Sequence, residues 1–159
     1  MLEEYSIKKY GIPFLGLKFD LWSLGPVAKD IFVETSSDPV MLKDYISVKR
    51  NSKGHTYIKP ARDFNDNEFS DMEVELLEKF TEYFGSKDLD ELISYTHKPN
   101  GIWRNTAIRE NVLESLESKS LITTDIQLDL SELIVDSKEK KIRYAEYIKF
   151  LQDNNHIPA

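Results

Sequence analysis

The sequence predicts a mainly α (α+β) fold, a compact helical domain with one small β-hairpin. Three observations carry that expectation. Apolar residues recur at three- and four-residue spacing through much of the second half of the chain, the period of a helix with one buried face. Helix-start signatures recur at Ser70–Glu73, Asp129–Glu132 and Asp136–Glu139, where a short polar side chain and a glutamate three residues on exchange hydrogen bonds with the first turn. The clearest β signal is one pair of alternating, β-branched runs, 45–49 and 56–59, flanking a polar connection that contains Gly54.

Taken in order, residues 1–10 form a short amphipathic stretch with Leu2, Tyr5 and Ile7, punctuated by Gly11-Ile12-Pro13. A helix this short depends on packing for its stability. Residues 14–24 alternate loosely and crowd Phe19, Leu21 and Trp22 together. Gly25-Pro26 reads as a helix start, because proline suits the first helical position. Val27, Ile31 and Phe32 would be the buried stripe of that helix, which stops before Ser36-Ser37-Asp38-Pro39. The hairpin follows and should lie against helices, since a lone hairpin is marginal in water. From Ser70 a helix carries Leu76, Leu77, Phe80 and Phe84, with Gly85 placed to close it in a left-handed cap. Another spans Asp88 to about Thr96 with Leu89, Leu92 and Ile93 inward, and the chain breaks at Lys98-Pro99-Asn100-Gly101. A helix over 105–116 would use Ile108, Val112 and Leu116, and residues 121–128 read equally as a strand or a connector. From Ser137 a last helix carries Ile142, Ala145, Ile148 and Leu151 as its stripe.

Composition narrows the function. The 159 residues suit one domain, or one with a short appendage. With 40% hydrophobic and 31% charged residues the chain is too apolar for disorder and too polar for a membrane protein. No run approaches the roughly 18 apolar residues of a spanning helix, and the opening MLEEYSIKKY is unlike an export signal, so the expected location is the cytoplasm. The absence of cysteine removes disulfides, thiolate metal sites and cysteine nucleophiles. A net charge of −7 disfavours nucleic acid as a partner.

Candidate chemistry is sparse. The histidines His55, His97 and His156 are too far apart in sequence for a His-x-x-x-His metal turn, and no phosphate loop, dinucleotide fingerprint or nucleophile elbow occurs. The expectation is therefore no metal, no cofactor and no enzyme activity. His55 and His156 read as solvated. His97, in Thr96-His97-Lys98-Pro99-Asn100-Gly101-Ile102-Trp103, reads as a partly buried side chain donating to a carbonyl at a helix end beside Trp103. The sharper alternative, a general base, lacks a recognisable nucleophile or orienting acid. Glu73, Glu75 and Glu78 read as a hydrated helix face, and Asp63, Asp66, Glu68 and Asp71 lack the glycine and terminal glutamate of a calcium loop. For such a domain protein binding is the default, with Trp22 and Tyr57 as contact anchors and core burial as the rival role for each.

One ordered set of short motifs goes further. Lys9-Tyr10-Gly11-Ile12-Pro13, Leu24-Gly25-Pro26-Val27 with Ile31, Phe69-Ser70, Tyr83-Phe84-Gly85, and Thr96-His97 with Trp103 together resemble the Panacea domain of SocA-like antitoxins, over about residues 5–108. The resemblance implies a mostly helical fold with a small β element. It also implies an antitoxin of a bacterial or prophage toxin–antitoxin system, which neutralises a cognate toxin by direct contact. One branch of the family implies instead an adaptor that delivers its toxin to a protease. In that setting Tyr10, Gly11 and Pro13 set a turn, Gly25 and Pro26 start a helix, and Gly85 stops one. Thr96 stands beside His97 and Trp103, which fix a helix crossing. Residues 1–116 would be the Panacea-like domain and 117–159 a helical extension packed on it.

Overall fold

Local capping decides where several of the helices begin. The computed structural model describes residues 1–154, and His156 lies outside the described residues. In chain order the elements are α1 (Leu2–Tyr10), β1 (Asp20–Trp22), β2 (Gly25–Val27), α2 (Lys29–Ser36), β3 (Ile46–Arg50) and β4 (Thr56–Pro60). There follow α3 (Asp71–Gly85), α4 (Leu89–Thr96), α5 (Ile102–Arg109), α6 (Leu113–Glu117), a 3-10 turn at Leu130–Leu133 and α7 (Lys138–Asp153). The fold is mainly α with a small β part. Full capping boxes open α3 at Ser70–Glu73 and α4 at Asp88–Glu91, each satisfying amide groups that a helix start leaves unpaired. The Asp129 carboxylate accepts from the Ser131 amide at the mouth of the 3-10 turn. Ser137, rather than Asp136, caps α7 by accepting from the Lys140 amide.

The chain divides into two compact units, one made of Met1–Val27 and the chain from Asp88 onward, the other of Ala28–Lys87. In the first unit Leu21, Trp103, Ala107, Leu116 and Leu128 form one buried cluster, and Ile7, Leu133 and Ile134 form a second. Ile102 and Leu130 pack against both clusters and so join them into a continuous interior. Residues 121–128 are the connector that closes this unit. The amides of Leu21 and Ser23 donate to the carbonyls of Ile126 and Ile122, the Leu128 amide donates to the Phe19 carbonyl, and a lone bridge pairs Asp20 with Gln127.

Several expectations are corrected. Gly25-Pro26 does not start a helix but forms β2, paired antiparallel with β1 through Leu21↔Pro26 and Trp22↔Gly25. The φ of +124° at Gly25 lies outside the helical region and favours glycine, and Pro26, without an amide hydrogen, is tolerated in a short edge strand. The fold thus has two hairpins. The next helix, α2, starts at Lys29 and exposes Ile31, Phe32 and Val33 while burying Glu34. The expected apolar stripe is on the solvent side.

Gly85 is the last residue of α3 and adopts no positive φ; Ser86 caps the helix in right-handed geometry. The expected helix over 105–116 is broken by Asn111 at φ +57° into α5 and α6, which leaves Ile108 exposed. Leu89 in the first turn of α4 is exposed as well. On α7 the partly buried apolar and aromatic side chains are Tyr144, Tyr147, Ile148 and Leu151, not Ile142 or Ala145.

The second unit contrasts with the first. The register Lys49↔Tyr57, Val48↔Ile58 and Ser47↔Lys59 sets the β3–β4 hairpin close to where the alternating runs predict it. The hairpin is nevertheless not buried against helices, for β4 is exposed along its whole length. Among the described residues of this unit Glu34 alone is buried.

Candidate functional site

In the first unit the motif residues Gly25, Thr96, His97 and Trp103, from distant parts of the sequence, meet around the turn of the β1–β2 hairpin. The α4 helix ends at Thr96, and His97 occupies its C-cap. Nδ1 of the His97 ring lies 2.8 Å from the Ile93 carbonyl oxygen, and Nε2 lies 3.2 Å from that of Ser23 in the hairpin turn. The ring sits 3.6 Å, centroid to centroid, from the ring of the fully buried Trp103. Trp103 in turn donates its indole N–H to the Trp22 carbonyl at 2.8 Å. Thr96 donates its hydroxyl to the Ile93 carbonyl at 3.0 Å. A Cβ at Gly25 would come within 2.9 Å of that hydroxyl oxygen. Thr96, His97 and Trp103 therefore clasp the turn 22–25, and the close approach of Thr96 accounts for glycine at position 25.

A second motif cluster lies at the end of α1. Gly11 takes φ +77°, and its amide donates to the Ile7 carbonyl to close the helix. A side chain there would meet the Cα and Cβ of Lys140 at 2.9 and 2.8 Å. The side chains of Lys140 and Arg143 on α7 donate to the carbonyls of Lys8 and Tyr10, so the Tyr10-Gly11 turn is the seat on which α7 rests. Pro13 is buried just beyond it. Tyr144 on the same helix packs on the Ile7 cluster, and burial together with the charges of Asp129 and Glu3 pushes its phenol up to about 12.

The proposed contact anchors separate. Trp22 is partly buried and its indole N–H donates to the Thr124 carbonyl at 3.2 Å. Tyr57 is exposed on β4, with Lys59 over its ring at 5.7 Å. His55 is exposed in the loop that connects β3 and β4.

Sequence reasoning missed two buried glutamates, one in each unit. The Glu3 carboxylate accepts from the amides of Phe14, Leu15 and Leu17 at 2.6, 2.8 and 3.3 Å. A single Glu34 oxygen accepts from the amides of Val40, Met41 and Leu42 at 2.9, 2.8 and 2.9 Å. Each braces an irregular loop by satisfying main-chain donors that no helix or sheet engages. The available signal was an acidic residue shortly before an irregular loop, Glu3 before 11–19 and Glu34 before 37–45. Beside Glu3, Glu4 accepts from Lys8 at 2.6 Å and Lys98 at 3.0 Å. Burial opposes its ionisation, but these hydrogen bonds and charges outweigh it and hold the carboxyl below its ordinary value.

The chemistry on offer is that of packing and contact. Both ring nitrogens of His97 lie within hydrogen-bond distance of main-chain carbonyls and Nδ1 lies near the hydroxyl of Thr96, with no carboxylate bonded to the ring among the described residues. The cavity that Phe19, Pro26, Tyr95 and Ile102 help to line holds about 50 Å³, far below the roughly 300 Å³ at which small-molecule pockets begin. Among the described residues no group of three or more His, Cys, Asp or Glu side chains is placed to hold a metal ion, and no helix is long and apolar enough to cross a membrane. The second unit carries a larger cleft of about 610 Å³, lined by Tyr45, Pro60, Arg62, Phe64 and Phe69 among others.

Compared with known families, residues 1–104 match the model described as "Antitoxin SocA-like, Panacea domain". No curated protein and no solved structure matches the chain. The matched span contains every motif residue named above and ends one residue beyond Trp103.

Proposed function

We propose, because the chain belongs to the SocA-like antitoxin family with a Panacea domain, that it neutralises a cognate toxin by direct protein–protein contact in a bacterial or prophage toxin–antitoxin system. The family match over residues 1–104 is the observation that carries this reading. The geometry agrees with it. The motif residues Thr96, His97 and Trp103 spend their polar groups on main-chain carbonyls, which suits a scaffold. Ile31, Phe32, Val33, Val40, Met41 and Phe64 leave apolar surface uncovered on the second unit, which suits a partner. In this reading the protein works in the cytoplasm as a binder and not an enzyme. The stretch 117–159 serves as a C-terminal extension of the Panacea-like part.

Co-expression with the product of the adjacent reading frame tests the proposal. The expected result is that the neighbour alone arrests growth, that this chain restores it, and that the two purify together. A neighbour that is toxic but neither rescued nor bound overturns it. Tracking the half-life of the neighbour in the same cells separates direct neutralisation, in which the toxin persists in complex, from delivery to a protease, in which it disappears.

A further inference from the structure

We propose that the β3–β4 hairpin is a self-association surface, and that its occupant is the acidic stretch 63–78 of a second copy of this chain. The inference goes beyond the antitoxin reading and uses only the molecule itself.

The hairpin is an incomplete structure. All residues from Lys49 to Glu68 are exposed, and the sheet has two strands, so among the described residues each strand has an edge with no strand beside it. Two-stranded sheets are marginal in water and gain stability when another surface covers them. The register places Lys49, Tyr57 and Lys59 on one face, with Val48 and Ile58 on the other.

Charge selects the occupant. Residues 45–62 contain Lys49, Arg50, Lys53, Lys59 and Arg62 and no carboxylate. None of these five cations has an ion-pair partner among the described residues; Lys59 and Arg62 lie over the rings of Tyr57 and Tyr45. Edge-to-edge pairing of two hairpins would set these cations against each other, the device by which natural sheets block that contact. The next sixteen residues reverse the sign. Asp63, Asp66 and Glu68 in the loop, then Asp71, Glu73, Glu75 and Glu78 on α3, occur with no cation between them. Of these, Asp63, Asp66, Glu68, Asp71 and Glu78 are exposed and have no ion pair among the described residues.

A compact unit that carries a basic half and an acidic half is self-complementary. A two-fold pairing then sets each hairpin on the acidic stretch of the other copy, as an isologous interface requires. The cleft of Tyr45, Phe64 and Phe69 lies where the two halves meet and offers apolar surface at the same place.

Sedimentation of the full chain at low and high salt is the test, with two variants, Lys49→Glu/Lys59→Glu and Asp66→Lys/Glu68→Lys. The wild type is expected to dimerise at low salt and to dissociate as salt screens the contact. Each variant alone opposes like charges and should weaken association by about tenfold or more. An equimolar mixture of the two restores opposite charges and should recover a heterodimer. All four changes are at exposed residues, and circular dichroism confirms that each variant is folded. A wild type that stays monomeric at low salt, including one that instead binds an RNA oligonucleotide, overturns the proposal. So do variants that dimerise like the wild type, or a mixture that fails to pair. Because no toxin is present, failure here leaves the antitoxin reading standing, and failure of that reading leaves this result intact.

Discussion

The two compact units hold their shape by different means. In the unit built from residues 1–27 and the chain from 88 onward, Trp103, Leu21, Ile7 and Leu116 are removed from water altogether, and packing supplies the stability. In residues 28–87 the buried side chain is a carboxylate, Glu34, which ties three amides of a loop. The rest of that unit is ordered by local devices, the capping box at Ser70 and the ladder of the β3–β4 hairpin. Both units use a buried glutamate as a loop brace, so the brace is not what separates them. The separation lies in where the apolar side chains go. The first unit packs part of them into two buried clusters, whereas the second fully buries none of its own and exposes Ile31, Phe32, Val33, Ile58 and Phe64 among others. Stability and recognition should accordingly be separable by mutation.

The largest effect that sharpens this contrast is the loss of a core aromatic. Trp103→Ala should cost about 3–5 kcal/mol in urea denaturation, whereas Tyr57→Ala or Ile58→Ala should change stability by no more than about 0.5 kcal/mol. Comparable losses at Trp103 and Ile58 would show that the hairpin is part of the cooperative core and would break the comparison.

The clasp around the β1–β2 turn comes next. His97→Ala removes the ring that reaches the Ile93 and Ser23 carbonyls and should lower stability by about 1–2 kcal/mol, while growth rescue against the toxin persists. Gly25→Ala, at φ +124° and facing Thr96, should cost about 1 kcal/mol or more. Full stability with lost partner binding in the His97 variant would move that residue from scaffold to contact surface.

What the sequence made legible follows the same division. The capped helix at Ser70 and the two runs of the β3–β4 hairpin lay in short local patterns, and the structure has them close to where those patterns put them. The antitoxin family is legible from motif order, whereas the helix start that Gly25-Pro26 suggests is a strand in the structure. Its glycine is required by the Thr96 hydroxyl seventy-one residues later, a contact that no local pattern announces. The inverted α2 was illegible for a related reason. Periodicity places Ile31 and Phe32 inward, but Glu34 is held inside by the amides of Val40, Met41 and Leu42, and that side of the helix then faces inward. The break at Asn111 was hidden because asparagine only sometimes takes the left-handed conformation.

The smallest effect concerns Glu4, which links α1 through Lys98 to the segment after α4. The folded protein holds this carboxyl below its ordinary value of 4.5. A depressed carboxylate contributes stability that is fully present above the unfolded value and is lost as pH falls through the folded one. Glu4→Gln should therefore lower stability at neutral pH, by about 0.5–1 kcal/mol for a pair whose lysines are partly solvated. The difference from wild type should shrink as the pH drops below 4.5 and vanish in stronger acid, as read by thermal melts across pH. High salt should reduce the neutral-pH difference as well. A deficit that stays constant into acid would show that Glu4 acts through packing of its side chain and not through its ion pairs with Lys8 and Lys98.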